Sequence, residues 1–214
     1  MRIHLIRHGR QSDTRCNIDV DLSDAGRAQA DLAGVRLAAL GGIDALYSSD
    51  MIRARETAEI VSGRLGLPVR VIPSLRELDF GDMEGLTDDE IDERFADFKA
   101  EQALMASDLP YPGGESIGAL LERVVIGLDQ VAADGHQCVA IATHGVVIRA
   151  LVTHILGAPL QRWRLVATTL ENGSLTEIEW DPTARRGSVE RLNDFAHLDA
   201  HPELLRSAWG IREN

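Results

Sequence analysis

The segment Cys138–Thr143 (CVAIAT) has no polar face, and a helical pattern, VVIRALVTHILG, follows it at once. A strand of that kind must be covered on both sides. The architecture that does this is a largely parallel sheet with helices on either face. The rest of the chain keeps to that plan. RIHLIR at 2–7 reads as an opening strand. LSDAGRAQADLAGVRLAAL reads as a helix with Ser23 as its N-cap, and Ala28, Leu32, Val35 and Leu40 recur at helical spacing. DALYSS at 44–49 and VRVI at 69–72 are short strands. They flank a helix over MIRARETAEIVSGRLG that Gly66 and Pro68 bring to an end. Thr87 and Glu90 form a capping box at the start of a helix running to about residue 105, and a further helix covers about 116–133. Residues 167–180, ATTLENGSLTEIEW, read as two strands joined through Asn172-Gly173. The expected fold class is α/β: a three-layer α/β/α sandwich, mostly parallel, with at least one antiparallel strand.

The length of 214 residues suits a single domain. Within it, residues 85–115 read as a cap or substrate-specificity insertion, and residues 181–214 carry no assignable pattern. Aromatic residues make up only 4% of the chain, so the core is expected to be Leu, Val, Ile and Ala.

A formal net charge of −12 argues against a nucleic-acid partner, whose footprint is a basic patch. The same charge repels phosphorylated molecules at long range, so any phosphate site has to be a local concentration of cations. Cys16 and Cys138 are isolated from each other and show neither metal-ligand spacing nor a disulfide framework, the pattern of free thiols in a reducing cytoplasm. The N-terminus MRIHLIRHGR does not read as a signal peptide, and no apolar run is long enough to span a membrane. His197 and His201 stand four apart, but Pro202 and the want of a third ligand make a poor metal site. No metal and no cofactor is expected.

Two strands end in a His-Gly pair: Arg7-His8-Gly9 after the first, and Thr143-His144-Gly145 after the most apolar one. Ligands of open α/β sheets bind at the strands' carboxyl ends, where both pairs fall. Arg7 offers the planar fork suited to phosphate. His8 can serve as nucleophile or base. Gly145 opens a helix whose N-terminal N–H groups are a natural anion site. Each pair alone is also consistent with an ordinary solvated strand end; their recurrence in one chain carries more weight. Arg53 in SSDMIRARETA is a further candidate phosphate ligand, whereas Arg55 reads as a surface arginine. The carboxylates of RELDFGDMEG at 76–85 could supply a general acid, against the default of a solvated acidic loop.

Taken in order, LIRHG (5–9), LSDAGRAQA (22–30), SSDMIRARETA (48–58), RELDFGDMEG (76–85), GGES (113–116), THG (143–145) and NGSLT (172–176) resemble the histidine phosphatase superfamily, in its phosphoglycerate-mutase-like branch. The resemblance spans roughly residues 1–180. It implies that His8 is a nucleophile that becomes phosphorylated, that Arg7, Arg53 and His144 hold the phosphoryl group, and that Glu77 protonates the leaving oxygen. Phosphate ligation by Gly145, Ser12 and Asn17 is also expected. Here the chain departs from the family: Arg10 precedes Gln11 and Ser12, and Thr14 stands where an Asn is usual, with Asn17 three residues on.

The activity implied is metal-independent hydrolysis of a small phosphorylated metabolite through phosphohistidine, in a cytoplasmic enzyme for which a homodimer is open. A phosphoglycerate mutase-type phosphotransferase and an inactive phosphate-binding protein are the alternatives. For Glu77 to donate a proton, burial or a neighbouring carboxylate, Asp79 being nearest in sequence, would have to favour its protonated form.

Overall fold

The computed structural model describes residues 1–209. Its elements in chain order are β1 (Arg2–Arg7), α1 (Asp24–Leu40), β2 (Ala45–Ser48), α2 (Ile52–Leu65), β3 (Val69–Val71), α3 (Asp88–Arg94), α4 (Ala96–Ala103), α5 (Ile117–Ala133), β4 (Cys138–Thr143), α6 (Gly145–Ile155), β5 (Leu175–Asp181) and β6 (Arg186–Asp194). The strands form one sheet in the order β3-β2-β4-β1-β5-β6. β3, β2, β4 and β1 run parallel; β5 is antiparallel to β1, and β6 to β5. β4 lies between β2 and β1, as its unbroken apolarity requires.

Side chains alternate across the sheet and so divide the core in two. Ile6, Leu46 and Ala140 pack with Ala33 and Leu37 of α1 and Val61 of α2. Leu5, Tyr47 and Ile141 point the other way, into a larger cluster with Leu120, Val124 and Leu128 of α5 and Ile148 and Leu151 of α6. The result is the expected helix–sheet–helix sandwich.

The register of the parallel strands decides where chemistry can occur. Arg7 pairs with Thr143, and Ser48 with Ala142. The residues that leave β1, β4 and β2 are therefore His8, His144 and Ser49, side by side at one edge of the sheet. The His8 N–H bonds to Thr143 O at 2.9 Å, and the Ser49 N–H to Ala142 O at 3.0 Å.

Three expectations need correction. The buried face of α1 is Gly26, Gln29, Ala30, Ala33, Gly34 and Leu37, not the stripe through Val35 and Leu40, which are 46% and 37% exposed. α1 lies so close to α2 that a methyl at Gly34 would come within 2.9 Å of Arg64 Cγ, so small residues take the contact and large ones face out. The helix expected over 87–105 is two, α3 and α4, broken at Phe95, although Thr87 and Glu90 do form the capping box. The hairpin is β5–β6, turning at residues 182–185 rather than at Asn172-Gly173. Residues 186–194, unassigned from sequence, thus supply the edge strand of the sheet.

Candidate active site

The site assembles on the three strand ends. Asn172-Gly173, freed from the role of a hairpin turn, clasps the first of them. The Gly173 N–H donates to Arg7 O at 2.9 Å, and Asn172 Nδ2 donates to His8 O at 2.9 Å. On the other side, the Gly9 N–H donates to Thr57 Oγ1 at 3.0 Å, and that hydroxyl donates to Arg53 O at 2.7 Å. Gly9 and Gly26 press together. A methyl on Gly9 would lie 2.3 Å from Gly26 O, and one on Gly26 would lie 2.0 Å from Arg10 O. The glycine of LSDAGRAQA is therefore a spacer that lets α1 rest on the loop leaving His8.

The His8 ring is buried, 4% exposed for the residue. Its Nδ1 lies 2.7 Å from Gly9 O. A carbonyl only accepts, so Nδ1 carries the proton and the neutral ring keeps its lone pair on Nε2. Arg53 Nε donates to that Nε2 at 3.3 Å. Arg53 Nη2 donates to Asn17 Oδ1 at 2.6 Å, and Nη1 to Ile18 O at 3.2 Å. The His144 ring stands 5.2 Å from that of His8, centroid to centroid, with its Nε2 2.7 Å from Ser49 Oγ. Arg7 enters from the far side and bonds to Leu170 O. Gly145 leaves room for it, since a methyl there would lie 3.3 Å from Arg7 Nε.

Two buried nitrogens in this cluster, Arg7 Nε and His144 Nδ1, meet no hydrogen-bond partner among the described residues. Buried polar groups left unpaired cost about 1–3 kcal/mol each, which an anion accepting from them returns. Burial, reinforced by Arg53 and Arg7, holds the His8 imidazole well below the usual histidine range. Burial, then Arg53 and His8, does the same to His144. Both rings are therefore neutral at neutral pH. Burial, with Arg206 and Arg149 near, brings Arg7 down to about 9, and burial also lowers Arg53. Arg7 thus stays charged at neutral pH. A local concentration of cations exists inside a chain of charge −12, as a phosphate site in an acidic protein demands.

Glu77 sits beside the cluster, 9% exposed. Its Oε1 accepts from Leu78 N at 3.0 Å, and its Oε2 from Val146 N at 3.3 Å. The N-terminus of α6 was expected to offer its free N–H groups to a bound anion. At Val146 it receives the Glu77 carboxylate instead, because a helix N-terminus attracts whichever negative group is nearest. Asp79, expected to act on Glu77, is exposed and turns one oxygen to the Gly81 N–H. A cavity of about 650 Å3 opens beyond Glu77, lined by Asn17, Asp19, Arg76, Asp79, Glu84 and Arg123 among others. Of the 85–115 segment, only its ends, Gly85 and Glu115, reach this cavity. Tyr111 packs against Phe80 and Phe98 at the margin of the larger core cluster.

The structure gathers Arg7, His8, Arg53, Glu77, His144, Gly145 and Asn17 in one place. It does not gather Ser12, which is exposed and donates to Asp21 Oδ1 at 2.6 Å. Arg55 is exposed too, 3.7 Å from Glu59. His197 and His201 turn to Gly173 O and Glu203. No group of three metal-ligating side chains occurs among the described residues. Ser49, Thr57 and Asn172 were not anticipated as members. All three stand in quoted motifs, but only the tertiary structure shows that they brace the strand ends carrying the histidines.

A family model described as the histidine phosphatase superfamily (branch 1) matches residues 3–194. Phosphoglycerate mutase-like protein 4 of Arabidopsis thaliana is 36% identical over 217 residues, covering 97% of this chain and 91% of that protein. A 2,3-bisphosphoglycerate-dependent phosphoglycerate mutase of Nitrobacter winogradskyi is 36% identical over 163 residues, covering 69% and 77%. Among solved structures, a mycobacterial glucosyl-3-phosphoglycerate phosphatase superposes with a TM-score of 0.76 at 30% identity, covering 90% of this chain and 98% of that one. Bacillus stearothermophilus YhfR gives 0.78 at 31% identity, covering 92% and 99%. With the order of its motifs and the geometry of its strand ends, the chain belongs to branch 1 of the histidine phosphatase superfamily.

Proposed function

We propose that this protein is a metal-independent phosphatase that hydrolyses a small phosphomonoester through a phosphohistidine on His8. The observation that carries the reading is the His8 tautomer. Gly9 O holds the Nδ1 proton, which leaves Nε2 unprotonated, with Arg53 Nε 3.3 Å from its lone pair. Phosphoryl transfer asks for an in-line nucleophile and for donors around the three equatorial oxygens. Arg7, Arg53 and His144 are those donors, and Gly145 gives Arg7 its space.

His8 Nε2 attacks phosphorus as the P–O bond to the alcohol breaks, and the departing oxygen takes a proton from Glu77. Water then attacks the phosphorus of phosphohistidine. Glu77 accepts the proton of that water, the P–N bond breaks, and inorganic phosphate leaves. Glu77 can serve both halves because it lines the cavity through which alcohol and water would exchange while its carboxyl is held at the start of α6, beside His144.

Hydrolysis of p-nitrophenyl phosphate with EDTA present tests this. Wild-type turnover should survive chelation and disappear in His8→Ala; turnover retained by His8→Ala would refute it. The relative named as a phosphoglycerate mutase favours a second reading, phosphoryl transfer between positions of a phosphoglycerate. Isomerisation of 3-phosphoglycerate that depends on added 2,3-bisphosphoglycerate would select it.

A further inference from the structure

Arg53 is the most deeply buried arginine of the cluster, at 2% exposure, yet no carboxylate lies within ion-pair distance of it among the described residues. Its partners are all neutral: Asn17 Oδ1, Ile18 O and His8 Nε2. A buried guanidinium usually has a counter-charge. Carboxylates act on it only from further out, Glu77 and Asp19 ahead of Glu84, and Glu84 is joined to it through the side chain of Asn17. Asn17 Nδ2 donates to Glu84 Oε1 at 2.6 Å and to Leu78 O at 3.1 Å. Glu84 Oε1 also accepts the Phe80 N–H at 3.2 Å. Both ends of the Asn17 amide are thus committed, the oxygen to Arg53 and the nitrogen to the 78–84 loop.

The backbone reinforces the link. The Cys16 N–H donates to Leu86 O, and the Gly85 N–H to Cys16 O, each at 2.8 Å. Asn17 itself has φ +46°, a left-handed conformation that Asn tolerates better than most residues. The atypical loop 10–17 therefore ends in a spacer. A carboxylate placed directly on Arg53 would fix its position but compete with phosphate for the same donors. An amide fixes the position and leaves the full positive charge available.

We infer that Glu84 is a positioning residue, acting through Asn17 to hold the Arg53 guanidinium against the phosphoryl group, and that Asn17 is a neutral spacer rather than a phosphate ligand. The inference rests on the phosphatase reading above. Glu84 bonds to Asn17 but to none of Arg7, His8, Arg53 and His144, nor, in that reading, to the reacting atoms.

Calorimetric titration with inorganic phosphate, with thermal unfolding as a check on folding, separates the possibilities. Glu84→Ala should weaken phosphate binding roughly tenfold to a hundredfold, the loss expected when a clamp shifts by a fraction of an ångström. Glu84→Gln keeps an acceptor for Asn17 and should bind close to wild type. Asn17→Asp still accepts from Arg53 but loses the donor to Glu84 and Leu78 O and sets a carboxylate against Glu84, so it should weaken binding as Glu84→Ala does. Unchanged affinity in Glu84→Ala, or equal losses in Glu84→Ala and Glu84→Gln, would overturn the inference while leaving the phosphatase reading intact. A wild type that binds no phosphate would overturn both.

Discussion

The neutrality of the two site histidines has a consequence for stability that can be worked out in advance. His8 and His144 are both held well below the usual histidine range, first by burial. A group whose folded-state pKa is depressed contributes stability that is fully present above its unfolded pKa and is lost as pH falls. Below about pH 6.5 the unfolded chain gains protons on these rings that the native chain cannot accept. Between about pH 7 and pH 5.5 each histidine then costs roughly 1 kcal/mol of unfolding free energy, and the pair about 2 kcal/mol. His4 and His197, also lowered chiefly by burial, push the same way. Urea unfolding followed by circular dichroism at several pH values in that interval, in buffer free of phosphate, reads the slope directly. His8→Asn should flatten the curve by about 1 kcal/mol across the interval, whatever it does to stability at neutral pH. Wild-type stability that stays level from pH 7 to 5.5 would refute the burial argument, as would a His8→Asn curve of undiminished slope. The same neutrality serves the proposed chemistry, since a protonated Nε2 has no lone pair with which to attack.

Two other predictions follow from packing and charge. Gly26→Ala places a methyl 2.0 Å from Arg10 O, so it should cost roughly 1–3 kcal/mol in thermal unfolding and slow hydrolysis by displacing Gly9; Gly63→Ala, with open space around it on α2, is the control that should not destabilise. At the cavity mouth, the guanidinium of Arg123 is paired with Glu115 and that of Arg76 with Asp50, while Asp19, Asp79 and Glu84 also line the opening. Phosphate esters bearing a carboxylate should therefore show a higher KM than uncharged esters of similar size, with the gap narrowing as salt rises. Equal KM values at low salt would show that the mouth does not discriminate by charge.

Much of this protein is legible in the chain because much of it is local. CVAIAT can only be a central strand, Ser23 and Thr87 announce helix starts, and the two His-Gly pairs mark strand ends where ligands bind. These follow from periodicity, capping chemistry and backbone freedom, each confined to a few neighbouring residues. The residues given direct roles in the proposed mechanism, His8, Arg7, Arg53, His144 and Glu77, come from the order of the motifs and the family it resembles.

What the tertiary structure decided concerns partners distant in sequence. The phase of α1 depended on how closely α2 approaches, which turned Gly34 and Ala33 inward and Val35 out. Asn172-Gly173 has the composition of a hairpin turn, yet it clasps Arg7 and His8 because β5 pairs with β1. Asn17 and Ser12 look equally fit to bind phosphate from their side chains alone. One was placed between Arg53 and Glu84 and the other against Asp21. A hydrogen-bonding side chain declares what it can do, but its partner is set by where the fold brings the other end.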